Sequence, residues 1–216
     1  MSNDSLITEE EYDELMEHVE SEDFDAARQL FVQYGLTLNS PLLDAPRYNE
    51  TGDELLTYLD YIIAHSLTSL IDDCVNNEIL ALNDDFFARC LQINALDVYQ
   101  YFRDLYPQFY PAGQSLCESV KLCYADIADD LLTLNAGLIH HIDNDVIEYL
   151  FSFDIDEETL ETIRVLFNHS INPALFNRYL GYLHNPEAGY FKIDEDDQDL
   201  VIELIDILES NGVFVE

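Results

Sequence analysis

The chain has 216 residues, enough for one or two domains, and at 48% hydrophobic it is too apolar for a disordered one. Eight Lys and Arg stand against 45 Asp and Glu, a formal charge of −37. Only Lys121 and Lys192 remain of the lysines, so direct contact with nucleic-acid phosphates and docking on an anionic membrane are excluded, since both need clustered bases.

The first 25 residues carry 11 acids and no Lys or Arg. They lack the positive start and apolar run of a signal peptide, and residues 1–8 read as a flexible N-terminus. Thr8-x-x-Glu11 is a capping box that opens a helix. A second short helix follows Asp23 and ends at Gly35, whose missing Cβ suits a left-handed cap. Residues 40–53, with Pro41, Pro46 and Gly52, read as a longer loop. Further on, Asn172-Pro173 places a capping residue before a proline at the first helical position. Asp199 to Ser210 sets Leu200, Val201, Leu204, Ile205 and Leu208 on one face, and Asn211-Gly212 is the stop. Few stretches alternate apolar and polar, and no Asn-Gly or Asp-Gly turn separates two such runs, so strand signals are weak. No apolar run approaches the roughly 18 residues of a membrane span. The expectation is a soluble, cytoplasmic, all-α protein.

A loose pattern returns along the chain: an acid, a mixed apolar stretch, then a turn. With Asp25, Asp60, Asp97, Asp126 and Glu161 as markers, the steps between positions 25, 60, 97, 126 and 161 are 35, 37, 29 and 35. Residues 94–102, beginning Asn94-Ala-Leu96-Asp97-Val98, and 123–132, with Asp126-Ile127 and Leu131-Leu132, resemble the second helix of an ankyrin repeat. Tyr34-Gly35 through Asn39 resembles the end of that helix. The Thr-Pro-Leu-His signature of the first helix is absent, and most copies lack the terminal glycine. The resemblance implies a stacked helix-pair solenoid of about five to six degenerate units, spanning 1–216 as a single domain. Helix pairs that cannot bury an apolar face alone would stack on their neighbours, with polar outer faces at the ends.

Catalytic signals are poor. Cys74, Cys90, Cys117 and Cys123 form no C-x-x-C and read as small thiols of a reducing compartment. His140-His141 is the one adjacent histidine pair, and neighbours on a helix diverge by about 100°, a poor chelate. Carboxylate pairs such as Asp72-Asp73 and Asp129-Asp130 arise by chance among 45 acids. Residues 194–199 lack the glycine and distal Glu of a calcium loop. No phosphate loop or nucleophile motif occurs. The reading is therefore no enzyme, no metal and no cofactor, with a hydrolase built on a carboxylate pair as a remote alternative. Two aromatic groups, Tyr99 to Tyr110 and Tyr179 to Phe191, suit core packing or a face that receives Arg and Lys.

Removal of bases while acids are kept points to a basic protein as partner, reached by steered association. The expected role is a non-catalytic inhibitor that occupies the basic site of a nucleic-acid-binding or nuclease protein. Either a phage or viral counter-defence DNA mimic or an immunity protein against a nuclease toxin would work this way. A generic ankyrin-like adaptor whose acidity serves solubility is the alternative. The preferred contact residues are Asp154, Asp156, Glu157 and Glu158, around the start of a predicted helix, and Asp194, Glu195, Asp196, Asp197 and Asp199.

Overall fold

The computed structural model describes residues 7–43, 47–48, 54–109, 112–152, 155–185 and 198–215, with 47, 48 and 54 described by backbone only. Apart from two strands of two residues each, the described secondary structure is helical. Contacts cluster into two compact units, Met1–Tyr110 and Pro111–Glu216. The first unit holds α1 (Glu9–Glu20), α2 (Phe24–Tyr34), α3 (Tyr58–Ala64), α4 (Thr68–Asn76), α5 (Asp84–Gln92) and α6 (Leu96–Leu105). The second holds α7 (Gly113–Lys121), α8 (Ala125–Leu134), α9 (Asn144–Leu150), α10 (Glu157–Asn168), α11 (Asn177–His184) and α12 (Gln198–Ser210), with 3-10 turns at Ala136–His141 and Pro173–Phe176.

Helix starts follow local chemistry. Thr8 and Glu11 close the expected capping box, and Thr57 with Asp60 closes a second. Asp23, Asn83, Asp143 and Asp156 accept backbone N–H groups at the starts of α2, α5, α9 and α10. Gly35 and Gly212 take the left-handed conformation expected of them. Asn172 caps the turn that Pro173 begins, and this turn is 3-10 before it continues into α11.

The turn within a helix pair recurs without glycine. Four pairs, α1–α2, α3–α4, α5–α6 and α7–α8, are joined by three residues each: Ser21-Glu22-Asp23, His65-Ser66-Leu67, Ile93-Asn94-Ala95 and Leu122-Cys123-Tyr124. The middle residue is left-handed every time, with φ of 55°, 52°, 56° and 58°. The third residue has φ of −79°, −74°, −92° and −83°, with ψ between 63° and 84°. Its N–H reaches back five residues in each case: Asp23 to His18, Leu67 to Ile62, Ala95 to Cys90 and Tyr124 to Ser119, at 2.8–3.1 Å. This is the Schellman closure, which satisfies helix-end carbonyls and holds a side-chain-bearing residue in a conformation costing roughly 1–2 kcal/mol.

The turns also tie one pair to the next at a matching place. Glu22 accepts the N–H of Leu70 at 3.0 Å, in the first turn of α4, whose own N-cap position is Leu67 and offers no side-chain cap. Ser66 donates to Asp97 in the first turn of α6. The Cys123 thiol meets the Thr159 hydroxyl at 3.6 Å in the first turn of α10. Second helices therefore lie beside second helices with their N-terminal ends together, for α2 with α4, α4 with α6 and α8 with α10. Packing agrees: α2 touches α4, α3 touches α5, α7 touches α9, α8 touches α10 and α10 touches α12.

The left-handed positions 22, 66, 94 and 123 are separated by 44, 28 and 29 residues. The 44-residue step contains the segment 40–53 expected as a loop. There, β1 (Arg47–Tyr48) pairs antiparallel with β2 (Glu54–Leu55), and Pro41 bridges Thr57. The true helix-pair step is thus shorter than the acid markers implied. Asp25, Asp97 and Asp126 each stand three residues after a left-handed turn residue, but Asp60 lies in a first helix and Glu161 deeper in a second. In the second unit Leu116, Val120, Leu132, Ile147, Leu160, Ile163, Leu166 and Leu204 are fully buried in one apolar core. Burying each such side chain stabilises by about 1.5–3 kcal/mol.

Candidate functional site

In the second unit α8, α10 and α12 form a layer of adjacent helices. Its exposed acids are Asp126, Asp129 and Asp130 on α8, Glu157, Glu158 and Glu161 on α10, and Asp199, Glu203, Asp206 and Glu209 on α12. Five of them, Asp126, Glu157, Glu158, Asp199 and Asp206, make no hydrogen bond or ion pair among the described residues. Asp126, Glu157 and Glu158 share an edge, because the Cys123–Thr159 contact brings the starts of α8 and α10 together. Unpaired carboxylates are tolerated there because each helix start carries the positive end of the helix dipole, worth about 0.3–1 kcal/mol per acid.

Most of the described bases are held by the chain's own acids. Arg164 holds Glu161 at 3.0 Å and also Glu203, tying α10 to α12. Arg178 holds Glu148 at 3.0 Å, and Lys121 holds Glu118 at 3.0 Å while lying over the Tyr149 ring. Arg89 meets Asp60 at 2.6 Å in the first unit, and Arg103 is engaged as well. Burial pushes the Asp60 carboxyl up, but the Arg89 guanidinium and the N–H groups of Leu56 and Thr57 outweigh it and hold Asp60 below the usual carboxylate range. Histidines are distributed similarly: His169 Nε2 lies 2.7 Å from Asp129, and His184 Nε2 lies 3.0 Å from Glu209.

Of the residues chosen from sequence, Glu157, Glu158 and Asp199 stand exposed and unpaired in this layer. Asp156 has a structural job: its Oδ1 accepts the Thr159 N–H at 2.8 Å and hydroxyl at 2.7 Å as the cap of α10. Asp154, Asp194, Glu195, Asp196 and Asp197 lie outside the described residues. Asp126 and Asp206, not among the residues chosen from sequence, stand exposed in the same layer. The signal for Asp126 was present, since it marks the repeat at the same helix position as Asp97.

The other candidates resolve into packing. Tyr99 and Phe102 are buried, and Tyr179 is buried with its ring stacked 4.4 Å from Phe151. Tyr101 and Phe109 remain exposed, and Tyr110, Tyr190 and Phe191 lie outside the described residues. Of the adjacent histidines, His141 lays its ring against the backbone of Gly113, where an added Cβ would fall 2.6 Å from the ring. Burial pushes the Cys74 thiol up to about 11 and Cys90 higher still, which keeps both protonated and poor nucleophiles. Among the described residues no group of three His, Cys, Asp or Glu could hold a metal ion, and no helix is long and apolar enough to cross a membrane. No family model matches the chain, and neither a curated protein nor a solved structure does.

Proposed function

We propose that the chain is a non-catalytic protein-binding inhibitor whose acidic helix layer occupies the basic, nucleic-acid-binding site of another protein. The observation that carries this reading is the layer of α8, α10 and α12, with five exposed carboxylates that have no hydrogen bond or ion pair among the described residues while neighbouring Arg164 is held between two others. Carboxylates carried on helices, four of the five at helix starts and Asp206 further along α12, present a preordered row of negative charge. Such a row can replace phosphates in a basic groove at little ordering cost. The role is that of a DNA mimic in counter-defence or of an immunity protein for a nuclease, acting in the cytoplasm.

Each unit, in this proposal, is a short ankyrin-like solenoid of three helix pairs. The support is three copies of the three-residue turn in the first unit and one in the second, the matching ties from turn to neighbouring helix, and the contacts of first helices with first and second with second. The unusual step of 28 or 29 residues and the missing first-helix signature mark it as divergent.

The test uses the chain with Asp126→Asn, Glu157→Gln, Glu158→Gln and Asp206→Asn together. These changes keep size and touch no described hydrogen bond. The parent, immobilised, is expected to capture nucleic-acid-binding proteins from host lysate at low salt, to release them to DNA or heparin, and to lose them at high salt. The quadruple variant should capture them at least tenfold less. Equal capture by parent and variant, unaffected by DNA, would leave the generic adaptor as the better account.

A further inference from the structure

The first unit has a groove of about 380 Å³ between α2, the segment after it, and α4. Helix α2 supplies Phe24, Ala27, Arg28, Phe31 and Val32, positions that recur on one helical face. That face is only partly covered: Ala27 is the one fully buried residue of α2, and Val32 is 76% exposed. Leu70, Cys74 and Ile79 form the opposite wall. The volume is at the small end of the range of about 300–1,000 Å³ for ligand pockets, and the lining is apolar and aromatic with few polar groups.

Two features give the groove a sign. No carboxylate lines it among the described residues, although the chain carries 45 acids. Arg28 does line it, and Arg28 makes no ion pair among the described residues, its guanidinium carbon resting 5.9 Å above the Phe24 ring. Arg89, Lys121, Arg164 and Arg178 all hold carboxylates. Asn39 also lines the groove, and its amide makes no hydrogen bond among the described residues; Arg28 and Asn39 are both exposed. In a protein this acidic, an arginine that holds no described carboxylate keeps its fork of N–H donors available to an anion.

We propose that this groove binds a single-chain amphipathic carboxylate, a free fatty acid of medium length, with its tail along α2 and its carboxylate on Arg28 and Asn39. The volume suits one acyl chain better than a folded peptide segment. The groove's described lining holds one arginine and no carboxylate, unlike the acidic layer, so the occupant is not the basic partner proposed above. The site stands independently of that reading.

The experiment is calorimetric titration of the full chain with decanoate, below its micelle concentration, and with decanol as the neutral counterpart. Decanoate should bind one to one and at least tenfold tighter than decanol. Arg28→Gln should weaken decanoate about tenfold and leave decanol unchanged. Val32→Glu, at an exposed position where folding is not at stake, should abolish decanoate binding by putting a like charge at the rim. Should decanoate fail to bind, or bind equally to the Arg28→Gln chain, the site is refuted. Equal affinities for decanoate and decanol would refute it too, reducing the groove to a nonspecific apolar patch.

Discussion

The two units carry nearly the same number of acids yet hold them differently. In the first, carboxylates that link helices are met by neutral donors. Tyr34 donates to Glu14, Tyr61 to Glu20 at 2.7 Å, Tyr106 to Asp72, Ser66 to Asp97, and the Leu70 N–H to Glu22. Its one described inter-helix ion pair, Arg89–Asp60, is largely buried. In the second unit the linking acids are met by Arg and His: Arg164–Glu203, Arg178–Glu148, His169–Asp129 and His184–Glu209, all at the surface. A chain stripped of bases can thus still satisfy linking acids, with hydroxyl and backbone donors in the first unit and with its few cations in the second, while the one buried acid among the described residues, Asp60, takes Arg89. Carboxylates beyond that supply face outward in both units, on α1 (Glu9, Glu10, Asp13 and Glu17) as well as on α8, α10 and α12.

The contrast breaks most sharply at Asp60. Asp60→Ala strands Arg89 and the N–H groups of Leu56 and Thr57, and should cost about 3–5 kcal/mol in a urea melt. Surface Arg178→Gln, by comparison, should cost under about 1 kcal/mol. In the second unit the tight spot is steric. Gly113→Val drives a side chain into the His141 ring and should destabilise by about 1–3 kcal/mol. A His141→Ala background should recover most of that loss, and a melt of the double variant that shows no recovery would mean the clash lies elsewhere.

The pH dependence sharpens the same contrast. The folded-state pKa of Asp60 lies below its unfolded value, so its stabilisation is complete above the ordinary Asp range and is lost as pH falls through the folded value. The hydrogen bond to Asp72 pushes the Tyr106 hydroxyl up to about 12, with desolvation adding to it. That contribution is complete below the ordinary tyrosine value and disappears as pH rises from about 10 toward 12. Melts at pH 9 to 12 should therefore show Tyr106→Phe losing less stability than the parent over that window. Parallel losses would sever the link to Tyr106.

The smallest effect concerns the left-handed turns. Ser170, at φ 64°, makes no side-chain hydrogen bond among the described residues, so Ser170→Gly should stabilise by up to about 1 kcal/mol. Glu22→Gly gains the same relief but removes the cap on Leu70, and the two should nearly cancel. Thermal melts of the pair decide it.

Helix starts were legible because their signals are local: Thr8 with Glu11, Asp23, and Asn172-Pro173 need nothing from the rest of the chain. The turns at Glu22, Ser66, Asn94 and Cys123 were not, because a Schellman closure fixes the backbone with hydrogen bonds and leaves the side chain free to vary. Without glycine to mark them, acids were used as markers, and Asp60 and Glu161 sit at other helix positions. The short strand pair between residues 47 and 55 has too few residues to show alternation. For the acidic layer, composition gave the sign and helix boundaries gave Glu157, Glu158 and Asp199. Which acids are free depends on where Arg164 and His169 reach, and that is decided by packing between helices distant in sequence.

The central claim is that unpaired carboxylates on α8, α10 and α12 steer and hold a basic partner. The direct measurement is the association rate with a captured, purified partner at 50, 150 and 500 mM salt, for the parent and for the chain neutralised at Asp126, Glu157, Glu158 and Asp206. The account predicts that the parent's rate falls steeply with salt, that the variant starts slower and depends on salt less, and that dissociation changes less than association. Rates that are equal for the two chains and flat across salt would contradict it.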